Sequence, residues 1–307
     1  MNKSISIISI IIILCLVTPS LSKQHACNKN DEKTLLKIKK SLGDPDILAS
    51  WKKTLDCCEW NNVACDVQNS GRVTELTISS SNISGQIPEE IGDLPYLETL
   101  VFRDLKNLNG EIPLAITKLT RLTQLIISKT HISGPVPSFL SKLTNLYNLD
   151  LSFNKLTGSI PESLGGFTGH VPNIYLSHNQ LSGNVPKSLG YLNFSIIDFS
   201  SNHLTGDLSM FFGANKTIQI ADFSRNNFQF DISELEYPWS LASLDLSHNK
   251  IYGSLPETLT EVFLAYFNVS YNRLCGKIPQ GGDLQYFDKS CYVHNRCLCG
   301  SPLPPCS

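Results

Sequence analysis

The stretch 241–256 reads LASLDLSHNKIYGSLP, and its skeleton LxxLxLSxNxLxGxIP recurs along the chain. Aligned on the asparagine slot, copies fall at Ser81, Lys106, Thr130, Asn154, Asn179, Asn202, Asn226, Asn249 and Asn272, spaced 23 to 25 residues apart. A period that steady specifies a solenoid, in which each turn of chain stacks on the one before. One coil cannot bury its own leucines. Stacked coils bury each other's, at roughly 1.5–3 kcal/mol per large apolar side chain.

Each position has a physical role. In Leu244-Asp245-Leu246 the alternation has period two, so the leucines point inward from a short strand and Asp245 points out. Asn249 then turns the chain inward. Its buried amide is tolerable only if it pairs with backbone groups of its own and adjacent coils. Gly253 allows backbone angles that other residues resist, and Pro256 fixes an extended return on the convex side. The first three copies depart from the rule with Ser81, Lys106 and Thr130. An extra residue between Phe102 and Leu108 predicts a bulged turn in the second copy, with Asn107 taking the asparagine's part. Residues 164–172 break the leucine spacing and predict a distorted loop on the convex side or rim.

The two ends differ from the middle. Residues 1–22 read as a secretory signal: Lys3, an apolar run from Ile5 to Val17, and small residues at Ser20-Leu21-Ser22. No later stretch is apolar and long enough for a membrane span. The expected product is secreted and lacks a membrane anchor. After Cys15, cysteines cluster before the repeats (Cys27, Cys57, Cys58, Cys65) and at or after the last one (Cys275, Cys291, Cys297, Cys299, Cys306). An open solenoid exposes apolar edges at both ends, and disulfides stiffen small caps in an oxidising compartment, at about 2–4 kcal/mol each. One thiol must be left over, and Cys291 is taken as the spare. Cys297-x-Cys299 lacks matched histidines, so a metal site is not expected. The organisation is therefore a signal (1–22), an N-terminal cap (23–70), nine repeats (71–280) and a C-terminal cap (281–307). Within the first cap, Asn30 is expected to cap a helix running to Ser41, whose Leu35, Ile38 and Leu42 face the first coil. Trp51 and Trp60 are expected as lids. Sequons stand at Asn82, Asn193, Asn215 and Asn268, the last on a strand where a glycan obstructs a binding surface.

These residues carry a resemblance. The repeat type, Asp56-Cys57-Cys58-Glu59-Trp60, and the tail from Leu274 to Cys306 (LCGKIPQGG…LQYFD…CLCGSPLPPC) resemble plant extracellular leucine-rich repeat proteins, most closely the polygalacturonase-inhibiting proteins. The likeness covers essentially the whole chain after the signal. It implies an α/β fold: a right-handed leucine-rich repeat solenoid, a curved superhelix with a concave parallel β-sheet and disulfide-bonded caps. It implies pairs Cys27–Cys57, Cys58–Cys65, Cys275–Cys297 and Cys299–Cys306. It also implies inhibition of fungal or insect pectin-degrading enzymes in the plant cell wall, as a defence. Members usually carry ten repeats against the nine counted here. DLPYL at 93–97, FRDLKNLNGEIP at 102–113 and NIYLSHNQLSG at 173–183 also look like carrot-type antifreeze proteins, so ice binding is the alternative.

Solenoids bind through outward strand residues of the concave face. One outward column reads Thr77, Val101, Ile126, Asp150, Tyr175, Asp198, Asp222, Asp245 and Asn268. A second reads Ser80, Asp104, Lys129, Phe153, His178, Ser201, Arg225, His248 and Tyr271. The expected partner surface is Asp150, Phe153, Tyr175, His178, Asp198, Asp222, Arg225, Asp245, His248 and Tyr271. Aromatic and arginine anchors suit a protein interface, and the acidic residues suit the basic groups of an enzyme, a polygalacturonase, that holds polyanionic pectin. Cell-wall pectin itself is a further candidate partner. A formal net charge of −2 and no basic patch with interleaved aromatics argue against nucleic acid. The seven histidines are scattered, no hydrolase constellation is present, and an open sheet lacks the cleft that paired catalytic carboxylates need. Neither catalysis nor a cofactor is expected, and the chain is expected to act as a monomer.

Overall fold

The computed structural model describes residues 26–68 and 70–306; the expected signal segment lies outside them. The chain winds into a solenoid whose concave wall is a ten-stranded sheet. Its outermost strand, Val63–Asp66, belongs to the N-terminal cap and runs antiparallel to Arg72–Ser79. The others follow in parallel, one per coil: Thr99–Leu105, Gln124–Thr130, Asn148–Asp150, Asn173–Tyr175, Ile196–Asp198, Ile220–Asp222, Ser243–Asp245 and Tyr266–Asn268. Coils are numbered below by the residue in the asparagine slot, from coil 1 at Ser81.

From Asn154 onward the asparagines do what their burial demands. Nδ2 of Asn202 donates to the carbonyls of Phe199 and Ser200 in its own coil and of Leu176 in the preceding one, while its Oδ1 accepts the amide of Leu181. Asn179, Asn226, Asn249 and Asn272 repeat this set. The ladder continues past the ninth copy. Asn295 donates to Val269 and Tyr292 and accepts from Leu274, so the C-terminal cap is built on a tenth coil. At the other end the expected alignment needs correction. Leu105, not Lys106, pairs with Thr130 and is fully buried. Lys106 is the extra residue, and both it and Asn107 are exposed, so Asn107 does not replace the amide. Thr130 donates its hydroxyl to Oδ1 of Asn154 and accepts the amide of Ile132, a relay into the first full rung.

After each asparagine turn the chain adds a second, narrower parallel sheet that the repeat reading did not anticipate. It joins Ser133–Pro135, Lys155–Gly158, Gln180–Asn184, His203–Gly206 and Asn227–Phe228. Prolines then precede 3-10 turns on the convex side, as Pro161 does for Glu162–Gly166 and Pro186 for Lys187–Tyr191. The irregular junction keeps its inward slots, because Phe167 is buried and Val171 half-buried where leucines stand elsewhere. Its exposed loop is held by His170, whose Nε2 lies 2.7 Å from the Tyr147 hydroxyl. Between the walls the core is continuous. In coils 6 and 7 phenylalanines replace leucines, and Phe211 stacks on Phe223 at 5.5 Å.

The caps close both ends. The helix Lys29–Ser41 is capped by Asn28, which accepts the Asn30 amide, rather than by Asn30. Leu35 and Ile38 are fully buried, and Trp51 stacks on Trp60 at 5.7 Å. The four disulfides pair as the resemblance implied, and Cys291 is free. Cys291 stands in coil 10, where its carbonyl accepts the Val269 amide. Burial pushes its thiol pKa up. Among the described residues no helix is long and apolar enough to cross a membrane.

Candidate binding surface on the concave face

The strand register aligns the first outward column as expected: Ile126, Asp150, Tyr175, Asp198, Asp222, Asp245 and Asn268 are successive partners. Each aspartate is partly committed to its own turn. Oδ1 of Asp150, Asp198, Asp222 and Asp245 accepts the amide of the serine two residues on, at 2.9–3.0 Å. This turn uses one carboxylate oxygen and leaves the other for the hollow. Oδ2 of Asp150 lies 3.7 Å from the Arg103 guanidinium, and Oδ2 of Asp245 accepts the Tyr266 hydroxyl at 2.9 Å. Asp222, between two other aspartates, has no such partner among the described residues. Burial, with Asp245 and Asp198 adding, pushes its carboxyl up to about 6 against the lowering pull of Ser224. Tyr175 is likewise raised by burial and then by Asp150 and Asp198.

The second column has a backbone signature. Ser80, Asp104, Lys129, Phe153, His178, Ser201, Arg225, His248, Tyr271 and His294 all sit at φ between 50 and 60°. An L-residue there costs roughly 1–2 kcal/mol, and the cost is tolerated because neighbouring coils fix the turn. The Phe153 amide donates to Ser177 and the His178 amide to Ser200, at 2.9 and 3.0 Å. The coil repeat then brings equivalent side chains to stacking distance. Phe153 lies on His178 at 4.0 Å, His248 on Tyr271 at 4.1 Å and Tyr271 on His294 at 4.2 Å. Phe153 is 44% exposed and Tyr271 45%. Lys129 Nζ sits 5.8 Å from the Phe153 centroid. Two aromatic ridges therefore flank Ser201 and Arg225, beside the acidic column. Burial, then Arg225, lowers the His248 pKa.

All ten predicted residues lie on this face. His294 was missed because coil 10 was missed, although it stands one residue before Asn295, the next rung after Asn272. Strand position two residues earlier also adds Ile220 and Tyr266, 40% and 45% exposed. At the N-terminal end, Lys106, Lys129, Lys155, His131 and His178, with one carboxylate, Asp104, surround a hollow of about 470 Å³ beside Phe153. The ammonium groups of its three lysines form no ion pair among the described residues.

Comparison with known proteins places this geometry. The sequence matches the Leucine rich repeat N-terminal domain over residues 28–66 and the Leucine Rich Repeat over 72–94, 145–167, 173–192 and 240–261. It is 56% identical to a polygalacturonase inhibitor of Vitis vinifera, covering 97% of this chain and 96% of that one. It is 50% identical to polygalacturonase inhibitor 2 of Arabidopsis thaliana, with each chain covered in full. The crystal structure of a plant ice-binding protein superimposes with a TM-score of 0.79 at 47% identity, over 92% of this chain and 99% of that one. By identity along its whole length, the chain belongs to the polygalacturonase-inhibitor family of plant leucine-rich repeat proteins.

Proposed function

We propose that the protein binds and inhibits secreted polygalacturonases, of fungal or insect origin, through its concave face, as a monomer in the plant cell wall. The observation that carries this reading is the pair of aromatic ridges, Phe153–His178 and His248–Tyr271–His294, held open on left-handed turns beside the aspartate column. Rigid aromatic anchors contribute contact area at small entropic cost, and interface energy concentrates on such groups and on arginines like Arg225. The free oxygens of Asp198 and Asp222 meet cationic groups of a protein that grips a polyanion. The names of the relatives support the target class. The part played here is that of an inhibitor, not an enzyme. The lysine hollow supports a second contact, with carboxylates of cell-wall pectin, at the end of the same face.

Ice binding is the other reading, favoured by the ice-binding neighbour. It is the weaker one, because the regular amides of the asparagine ladder are spent on backbone groups and Thr77 donates to Glu75 at 2.8 Å. Purified protein assayed against a panel of fungal and insect polygalacturonases, alongside a thermal-hysteresis measurement, separates the two. Inhibition of at least one enzyme without hysteresis is expected. Hysteresis without inhibition selects ice binding.

A further inference from the structure

A wide hollow lies away from the concave face, where the repeat pattern lapses. In coils 4 and 5 the return runs Ile160-Pro161 and Val185-Pro186; coil 6 has Leu208-Ser209 instead, and in coil 7 Phe230 replaces the turn glycine. Without its proline, coil 6 turns earlier. Leu208 takes φ −111°, ψ 3°, where Pro161 and Pro186 are extended. The resulting groove has a volume of about 960 Å³, at the upper end of small-ligand sites.

Its walls are of two kinds. The shelf is apolar: Ile160, Pro161, Val185, Pro186 and Met210, edged by Tyr191, whose ring is 85% exposed. The other wall carries Asn184 and Asp207, each from the position after its coil's turn glycine, and Gln229 of coil 7. Their hydrogen-bonding capacity is only partly used. Oδ1 of Asn184 accepts the Thr205 hydroxyl at 2.8 Å, leaving its amide protons. Oδ1 of Asp207 accepts the Ser209 amide at 2.7 Å, leaving Oδ2. Gln229 is exposed, and its side-chain amide has no hydrogen-bond partner among the described residues. The lining charge is slightly negative, since one cation, Lys187, stands against two carboxylates, Glu162 and Asp207.

We propose that this groove is a binding site for a neutral oligosaccharide. A sugar ring has an apolar face, which an exposed tyrosine ring covers, and vicinal hydroxyls that each donate and accept. The wall of amides and a carboxylate offers both functions side by side. The slightly acidic lining separates this groove from the lysine hollow on the concave face. A polyuronate gains nothing here from Lys187 that Glu162 and Asp207 do not cancel.

Saturation-transfer NMR and calorimetry with xylotetraose, cellotetraose and mannotetraose test the proposal. At least one is expected to bind, with association about tenfold weaker in Tyr191→Ala and in Gln229→Ala. Phe153→Ala leaves that binding unchanged, and tetragalacturonate does not compete for it. Because the three substituted side chains are exposed, the melting temperature of each variant reports folding directly. Failure of all three sugars to bind the folded wild type, or binding that Tyr191→Ala leaves intact, overturns the assignment. The result is independent of polygalacturonase inhibition.

Discussion

The imidazole of His178 lies against the ring of Phe153 with centroids 4.0 Å apart and planes 14° from parallel. Both residues are held at left-handed φ by hydrogen bonds from their own amides to the next coil. The stack is therefore preformed, and a partner that covers it loses little rotamer freedom. Phe153→Ala is expected to weaken polygalacturonase inhibition by about 1–2 kcal/mol, roughly five- to thirtyfold in the inhibition constant. Thermal stability should scarcely change, since the ring is half exposed. Inhibition equal to wild type in Phe153→Ala, His178→Ala and His248→Ala alike removes this face from the mechanism.

Asp222 links the same surface to pH. Its carboxyl titrates near 6 in the folded chain against an ordinary 3.8. Between those values the folded protein holds a proton that the unfolded chain has released. Stability therefore falls as pH rises through this window and is flat above it, by at most about 3 kcal/mol. Asn268 shows that an amide makes the same turn, accepting the Ser270 amide at 3.1 Å. Asp222→Asn should leave the melting temperature unchanged near pH 4 and raise it at pH 7. Affinity for a polygalacturonase should strengthen from pH 5 to 7 in the wild type and lose part of that dependence in the variant. A variant melting no higher than wild type at pH 7 contradicts this account.

The N-terminal cap depends on one buried ion pair. Nε and Nη2 of Arg72 donate to the two oxygens of Asp31 at 2.8 and 2.9 Å, and the Val73 amide adds a third bond. Arg72 also lies over the Tyr96 ring. Asp31→Ala leaves a largely buried guanidinium and an amide without partners, so a loss of about 3–5 kcal/mol is expected. Urea unfolding measures it. A loss below about 1 kcal/mol assigns cap stability to the tryptophan stack and the disulfides instead.

A single rung of the ladder can be removed in the same way. Asn202 pairs with three carbonyls and one amide, and Asn202→Ala strands the Leu181 amide in the core, while each carbonyl keeps another donor. The expected cost is about 1–3 kcal/mol, above that of an exposed substitution. Hydrogen exchange of the Leu181 amide should speed up in the variant. Unaltered protection there shows that water has taken the place of the side chain.

The asparagine ladder also explains what could be read from the sequence. Leu244, Asp245, Leu246 and Asn249 each occupy a slot whose chemistry is fixed by its neighbours, so strands, inward leucines and outward columns followed from spacing. Errors arose where a slot is filled by something else. Leu105 replaces a polar rung with an apolar one, and its neighbour Lys106 was aligned in its place. Coil 10 carries Tyr292 and Cys291 where leucine and aspartate are usual, so only Asn295 marked it. The second sheet leaves no residue pattern of its own, because its bonds are between backbone groups. The side-chain stacks were invisible for a different reason. Phe153 and His178 lie one coil apart, and only the common left-handed turn brings their rings together.

Glycan placement gives a last test of the concave face. Asn82, Asn193 and Asn215 are exposed, whereas Asn268 is half-buried on a concave strand and its Oδ1 accepts both the amide and the hydroxyl of Ser270. Its Nδ2 is thus oriented by a turn inside the surface assigned to the partner. Peptide mapping of protein secreted from plant cells is expected to find glycans at Asn82, Asn193 and Asn215 and none at Asn268. Full occupancy at Asn268 places a bulky polar chain between Asp245 and Tyr271, where no enzyme can then seat. Inhibition that survives such a glycan moves the contact to coils 2–6, around Lys129, Phe153 and His178.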